Sequence, residues 1–471
     1  MESEIIFDVA HLIDHQKIRA IHCIVVLFSF LLMLVDGYDI VCIGYVAPLL
    51  QKEWGFQSSS FGYLFGSAAL GAAIGPLIFG YLGGRFGRKP ITLLGAAWFG
   101  AFSLVAIGAT SLNHMLALRF LAGIGMGGMV AITIALLSEF SPRNLRATMV
   151  VIGVVGTALG GGVAGLVAYW LLGSHTWHSV FWLGGIPPIV LAIVGFWLLP
   201  ESPKYLVLRP HRRAELVALL VRLGASKLPP NTKYVLADEE NGARASIYEL
   251  FRGRLCAIVP LLTLSHFLGS FALFFVNQWT TILLTSSGVP VQSAAWATTA
   301  FQTAGFMGAL CIMRPIDRLG FIPVPVLFAC AATAIFLMGL PGLSVVTITL
   351  LAGIAGFCVI GMQFGNISVT GQVFPTYIRS HGVGFCYGFG RLGSVTGPII
   401  AGLLVGAGFT IGQLFYFAGA LMVLGIATGL LLTPLYRRQV ADARQITRGG
   451  LASPDSVRVS GTSSDFVADS V

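Results

Sequence analysis

The chain has 471 residues, 56% of them hydrophobic and only 10% charged, with a mean hydropathy of +0.86 and a formal net charge of +9. Soluble domains carry about 25% charged residues, so this composition cannot cover a water-facing surface. It excludes a string of soluble domains, a disordered or collagen-like chain and, with sparse cysteines, a disulfide scaffold; the chain is a polytopic membrane protein.

A polar arm, residues 1–20, comes first. A helix needs about 20 apolar residues to cross the hydrocarbon core, and twelve windows qualify as spans 1 to 12: 21–45, 58–82, 90–110, 113–137, 147–171, 178–199, 255–284, 293–313, 322–340, 343–366, 380–407 and 411–434. Runs this long exclude a β-barrel, whose strands are segments of about ten residues with alternating polarity. The first window is not a cleavable signal peptide, because it is too long, holds two aspartates and follows twenty polar residues. The expected fold is therefore an all-α membrane protein of twelve helices. Its N-terminal six-helix bundle spans 21–199, its linker 200–254, its C-terminal bundle 255–434, and a tail at 435–471 has the composition of a disordered segment.

Of 28 Lys and Arg, 25 fall in the arm, the even-to-odd loops and the tail. The positive-inside rule then puts both termini in the cytoplasm, and the net charge follows from topology rather than from nucleic-acid binding. The linker alone carries ten basic residues. All seven cysteines lie in or at the edge of apolar spans without CxxC spacing, so neither a metal site nor a disulfide is expected.

The two halves repeat at one offset of 233 residues. Arg85-Phe86-Gly87 after span 2 maps onto Arg318-Leu319-Gly320 after span 8. Pro142 and Arg146 map onto Pro375 and Arg379, and Gly160 maps onto Gly393. Arg and Pro are scarce here, so a gapless register across these stations argues for two six-helix halves related by a pseudo-two-fold along the membrane normal.

Ionisable side chains within spans are costly, about 2.5–3.5 kcal/mol on insertion scales, and mark function by default. Four stand out: Asp36 and Asp39 in span 1, Arg119 in span 4 and Arg391 in span 11. The aspartates, at i and i+3, share a helix face around Gly37. Two carboxylates in a poorly solvated site cannot both ionise cheaply, which makes the pair a candidate proton site. Arg119 cannot discard its charge, and its planar fork suits a carboxylate; it either binds an anionic substrate or neutralises an aspartate, and Arg391 carries the same ambiguity. His266 in span 7 is either a core histidine or a proton relay. Asn277, Gln278, Trp279, Gln302, Gln363, Asn366 and Tyr387 could line a pocket suited to a flat, hydroxylated ring, or serve packing alone.

These features resemble the major facilitator superfamily over about residues 15–435. The pieces that carry the resemblance are Gly80-Tyr81-Leu82-Gly83-Gly84-Arg85-Phe86-Gly87-Arg88-Lys89, the glycine-rich run after Arg119, the Gly153 to Gly165 stretch, Pro200-Glu201-Ser202-Pro203-Lys204 and Asp317-Arg318-Leu319-Gly320. Within it, Asp36-Gly37-Tyr38-Asp39 followed by Ile43-Gly44-Tyr45-Val46-Ala47-Pro48 is similar to the aromatic acid/proton symporter family, as are Phe275-Val276-Asn277-Gln278-Trp279 and Phe374 through Gly393. The resemblance implies a carrier in a bacterial inner membrane, and a monomer is the default expectation. It would take up an aromatic organic anion with protons, without a cofactor, with Asp36 and Asp39 required and Arg119 and Arg391 in or near the substrate path. It also implies a conformational latch of Arg85, Arg88, Glu139, Arg146, Asp317, Arg318 and Arg379. Gly84 and Gln372 stand where the family usually has acids, while Asp317 and Glu139 keep the charge in the other half. One latch is thus expected to be lost, weakening the outward-facing state. Competing readings are a sugar or polyol symporter, a drug or metabolite exporter, and a transporter-like sensor; an intramembrane enzyme finds no nucleophile–base pair or metal cluster among the spans.

Overall fold

The computed structural model describes residues 5–142, 144–171, 176–225, 232–236, 247–374 and 378–449. Each expected window coincides with helix. In the first half the helices are Ala20–Trp54, Phe61–Phe86, Arg88–Val105, Leu112–Phe140, the pair Arg146–Val154 and Gly156–Leu171, and His178–Leu198. In the second they are Leu255–Ser286, Val291–Leu319, Pro323–Met338, Val345–Val373, the pair Arg379–Gly390 and Leu392–Gly406, and Ile411–Gly449. Among the described residues, ten spans are long and apolar enough to cross a membrane on those grounds alone. Span 9 (Pro323–Met338) is shorter, and span 8 (Val291–Leu319) is diluted by Gln302 and several threonines. Helices satisfy every backbone group internally, which is why lipid selects them.

The repeat has a structural counterpart. Gly87 and Gly320 each end their helix at positive φ, +111° and +64°, a region open to glycine and strained for other residues. Arg146 and Arg379 each begin a broken span. Gly160 lies against the backbone of Leu34, and Gly393 against that of Phe267, so both members of each contact keep the 233-residue offset.

Spans 2 and 11 pair across the halves, as do 5 and 8, with span 1 against span 7 between them. These contacts concentrate at the ends far from the termini. Gly62 meets Pro398 and Gly402, Gly165 meets Thr299, and Gly44 meets Gln278. The rings of Phe61 and Phe65 stand edge-on to Trp279, at 6.4 and 6.2 Å. The far side is closed and the cavity between the halves opens toward the termini.

The arm and tail depart from expectation. Ile5–Asp8 (β1) pairs in parallel with Thr232–Val235 (β2) of the linker. The helix Val9–His15 follows, capped by the Asp8 carboxylate and burying Val9, Ala10 and Ile13. These side chains join a core with Leu216, Leu219 and Leu220 of the linker helix Arg213–Leu223. A seven-residue apolar face is too short a signal to be read as structure before its partner is known. The final helix runs on to Gly449 instead of ending at 434, so residues 435–449 are helical rather than disordered; the rest of the expected tail, 450–471, lies outside the described residues.

Candidate functional site

Span 1 crosses span 5 at backbone contact: Gly37 faces the Thr157 carbonyl, and Gly156 and Gly160 face Phe30 and Leu34. A Cβ at these glycines would force the helices apart. The close crossing sets Asp36 beside span 5 and turns Asp39 toward span 4.

Asp39 and Arg119 form a two-pronged ion pair. The guanidinium donates to Oδ1 at 2.8 Å and to Oδ2 at 2.7 Å, and reaches the Asp39 carbonyl at 3.4 Å. Both residues are 1% exposed. The Phe181 ring lies 5.8 Å from the guanidinium carbon, and the Cys42 thiol donates to the Asp39 carbonyl at 3.3 Å. The alternatives for Arg119 resolve in this conformation: it neutralises Asp39, so its fork is already filled.

Asp36 is different. Its Oδ2 accepts one long hydrogen bond from Thr157, at 3.5 Å, and its buried Oδ1 has no partner. Arg391 stands within electrostatic reach but makes no ion pair with it. Arg391 occupies the junction between the two helices of span 11, half-buried, with its carbonyl accepting from Ser394 at 2.6 Å. Although the aspartates share a helix face, they have separate environments, one saturated and one nearly bare.

Arg119, Arg391, Gln278, Ser394, Phe274 and Phe65 are among the residues around a narrow cavity. Apolar side chains of spans 1 and 2, including Ile40, Ile43 and Ala69, complete its walls. Its polar equipment is small: Arg119, whose two terminal nitrogens are taken by Asp39 while its Nε has no partner, Arg391, with no acidic partner among the described residues, a serine and an amide.

The other expected pocket residues lie elsewhere. Trp279 is fully buried in the far-side seal. Gln302 packs on Gly161 across the halves. Asn277 is buried with its Oδ1 unpartnered. Gln363 donates to Ser270 at 2.8 Å, Asn366 accepts from Ser265 at 3.0 Å and His266 bonds Thr370 at 2.8 Å, so this ladder ties span 7 to span 10 inside one half. Tyr387 stands edge-on to His266 at 6.0 Å. Gln278, by contrast, reaches the cavity, and its neighbours in sequence do not. On a helix, residues one apart point about 100° from each other, so the run of three polar residues in span 7 could not reveal which one faces inward.

The latch residues divide. Arg88 pairs with Glu139 at 3.0 Å, and Glu139 also accepts from the Ser202 hydroxyl. The buried Glu201 accepts backbone N–H groups of Arg88, Lys89 and Ser202 at 2.8, 3.1 and 2.8 Å. Burial pushes the Glu201 carboxyl above its ordinary pKa, against those hydrogen bonds. Arg146 pairs with Asp14 of the arm at 2.8 Å rather than with Glu139. Arg85 is exposed beside Phe86, and its carbonyl accepts from Tyr205. Arg318 is exposed, while the side chains of Asp317 and Arg379 lie outside the described residues.

The Major Facilitator Superfamily profile matches residues 29–370 and 261–458. A gallate transporter of Pseudomonas putida is 31% identical over 425 residues, 88% of this chain and 94% of its own. A 4-hydroxybenzoate transporter of Pseudomonas aeruginosa is 31% identical over 410 residues, 86% of this chain and 91% of its own. Among solved structures, an inward-facing bacterial homolog of the human lysosomal transporter Spinster matches with a TM-score of 0.67 at 17% identity, over 90% of this chain and 99% of its own. The xylose transporter XylE from E. coli, partially occluded and inward open, matches at 0.66 and 18%, over 87% and 97%. With both halves matched and its relatives transporters, this chain belongs to the Major Facilitator Superfamily and is a multi-pass membrane transporter rather than an enzyme.

Proposed function

We propose that the protein carries aromatic carboxylates into a bacterial cell across the inner membrane, each together with a proton, by alternating access and as a monomer. The observation that carries this reading is Arg391: a cavity cation without an acidic partner among the described residues, within electrostatic reach of a buried Asp36 that lacks a strong hydrogen bond. The gallate and 4-hydroxybenzoate relatives supply the aromatic class, and the apolar cavity walls suit a flat ring.

The coupling follows from charge. Arg119 and Asp39 cancel each other. With Asp36 ionised, it balances Arg391 and the empty cavity is neutral. Once Asp36 takes a proton, Arg391 is left uncompensated and attracts one carboxylate, which restores neutrality. Proton alone or anion alone leaves a net charge, and moving such a charge through a closed, dry state is costly. Only the empty and the doubly loaded carrier reorient cheaply. The charge distribution of the loops favours cytoplasmic termini, and on that orientation the conformation described here is inward-open.

Proteoliposomes test this. Uptake of a labelled hydroxybenzoate is expected to accumulate above equilibrium when the interior is made alkaline, and to stop at equilibrium without a gradient. Uptake indifferent to the imposed gradient would overturn proton coupling; absence of uptake for every aromatic acid offered would overturn the substrate class.

A further inference from the structure

Span 7 puts Phe274 and Gln278 on one face, a turn apart, and span 11 does the same with Arg391 and Ser394. All four border the cavity. Gly390 and Gly393 lie against His266 and Phe267, which fixes the level of Arg391 on span 7. Phe274 and then Gln278 follow from that level toward the closed end. Cation, aromatic side chain and amide therefore succeed one another along span 7.

Gln278 is 3% exposed and its Oε1 has no partner. A buried amide is normally satisfied, and leaving its carbonyl bare is costly. Its backbone is held where span 7 touches Gly44 of span 1, so the side chain is presented from a fixed point. An amide offers both an acceptor and donors, so it can take a ring hydroxyl in either sense. A hydrogen or a methyl group at that ring position would leave it unsatisfied.

We infer that Gln278 is the selectivity residue of this carrier: it reads a hydroxyl on the ring side remote from the carboxylate, while Arg391 takes the carboxylate and Phe274 faces the ring. This rests on the aromatic-carboxylate reading above.

The experiment is thermal stabilisation of the purified full chain against concentration series of 3- and 4-hydroxybenzoate, their methyl counterparts and benzoate, since a ligand bound only by the folded state raises the melting point. Wild type is expected to bind one of the hydroxy acids about tenfold more tightly than its methyl counterpart, the scale of one net hydrogen bond. In Gln278→Leu and in the closer-shaped Gln278→Met, that ratio is expected to fall below about threefold, a change that a purely structural role would not produce. Equal binding of hydroxy and methyl acids by wild type, or an undiminished ratio in either variant, would overturn the role of Gln278 and leave the substrate class standing. Stabilisation by none of the acids would overturn both.

Discussion

Neutralising Asp36 and neutralising Asp39 are predicted to fail in different ways. Asp39→Asn leaves Arg119 buried and unpaired, a loss of about 3–5 kcal/mol. It should lower the melting temperature markedly and abolish transport in either direction. Asp36 has one long hydrogen bond to lose, so Asp36→Asn should fold normally and still bind substrate. It should exchange labelled for unlabelled substrate across proteoliposome membranes yet no longer accumulate it against a gradient. Similar melting losses in the two variants, or accumulation retained in Asp36→Asn, would contradict the division of labour. Arg391→Gln is predicted to keep the melting temperature within a few degrees of wild type while weakening ligand stabilisation at least tenfold. The physical reason is that its guanidinium makes no ion pair among the described residues, and Asp36, whose charge it balances, can take up a proton once that charge is gone.

At the scale of elements, the arm is built into the N-terminal half. The β1–β2 pairing and the buried face of Val9–His15 tie it to the linker, while Gln16 bonding the Phe140 carbonyl at 3.0 Å and the Asp14–Arg146 pair tie it to the loop between spans 4 and 5. Removing residues 1–8, or Asp14→Asn together with Gln16→Ala, is predicted to raise hydrogen exchange in residues 137–150 without loosening spans 7 to 12. Exchange unchanged in that loop would show the contacts to be incidental. The Glu201 network carries a pH signature. Because its folded pKa is raised, the contribution of Glu201 to stability is fullest below the unfolded value and is lost as pH rises through the folded one. The melting temperature of wild type relative to Glu201→Gln should therefore fall as pH climbs from acid toward neutral; a difference independent of pH would refute this.

For the whole molecule, far-side closure depends on small residues where the halves touch. A Cβ on Gly402 would stand 2.6 Å from the Ser59 carbonyl oxygen and 2.8 Å from Gly62. Gly402→Val should wedge spans 2 and 11 apart and shift the carrier toward opening on that side, read as increased thiol labelling of a cysteine introduced at Ser59. Gly84 has open space around it. Gly84→Asp should be accommodated and, by restoring the missing acid, shift labelling in the same direction. Unaltered labelling in both variants would mean that neither the seal nor the latch sets the equilibrium.

Most of the architecture was legible because lipid imposes it: a long apolar run can only be a helix, scarce charges within such runs stand out, and a repeat anchored by Arg85, Pro142 and Gly160 survives as identical stations in the other half. The same rarity made Asp36, Asp39, Arg119 and Arg391 visible as a set. Sequence alone could not say who faces whom. Pairing is a matter of helix rotation and crossing, and Gly37 against Thr157 decides that Asp39 meets Arg119 while Asp36 stays nearly bare. The rotation of span 7 likewise decides that Gln278 borders the cavity while Asn277 and Trp279 do not. The arm was illegible for a related reason: its short strand and short helix find their partners in linker residues more than two hundred positions away and in the loop after span 4, contacts that no local pattern encodes.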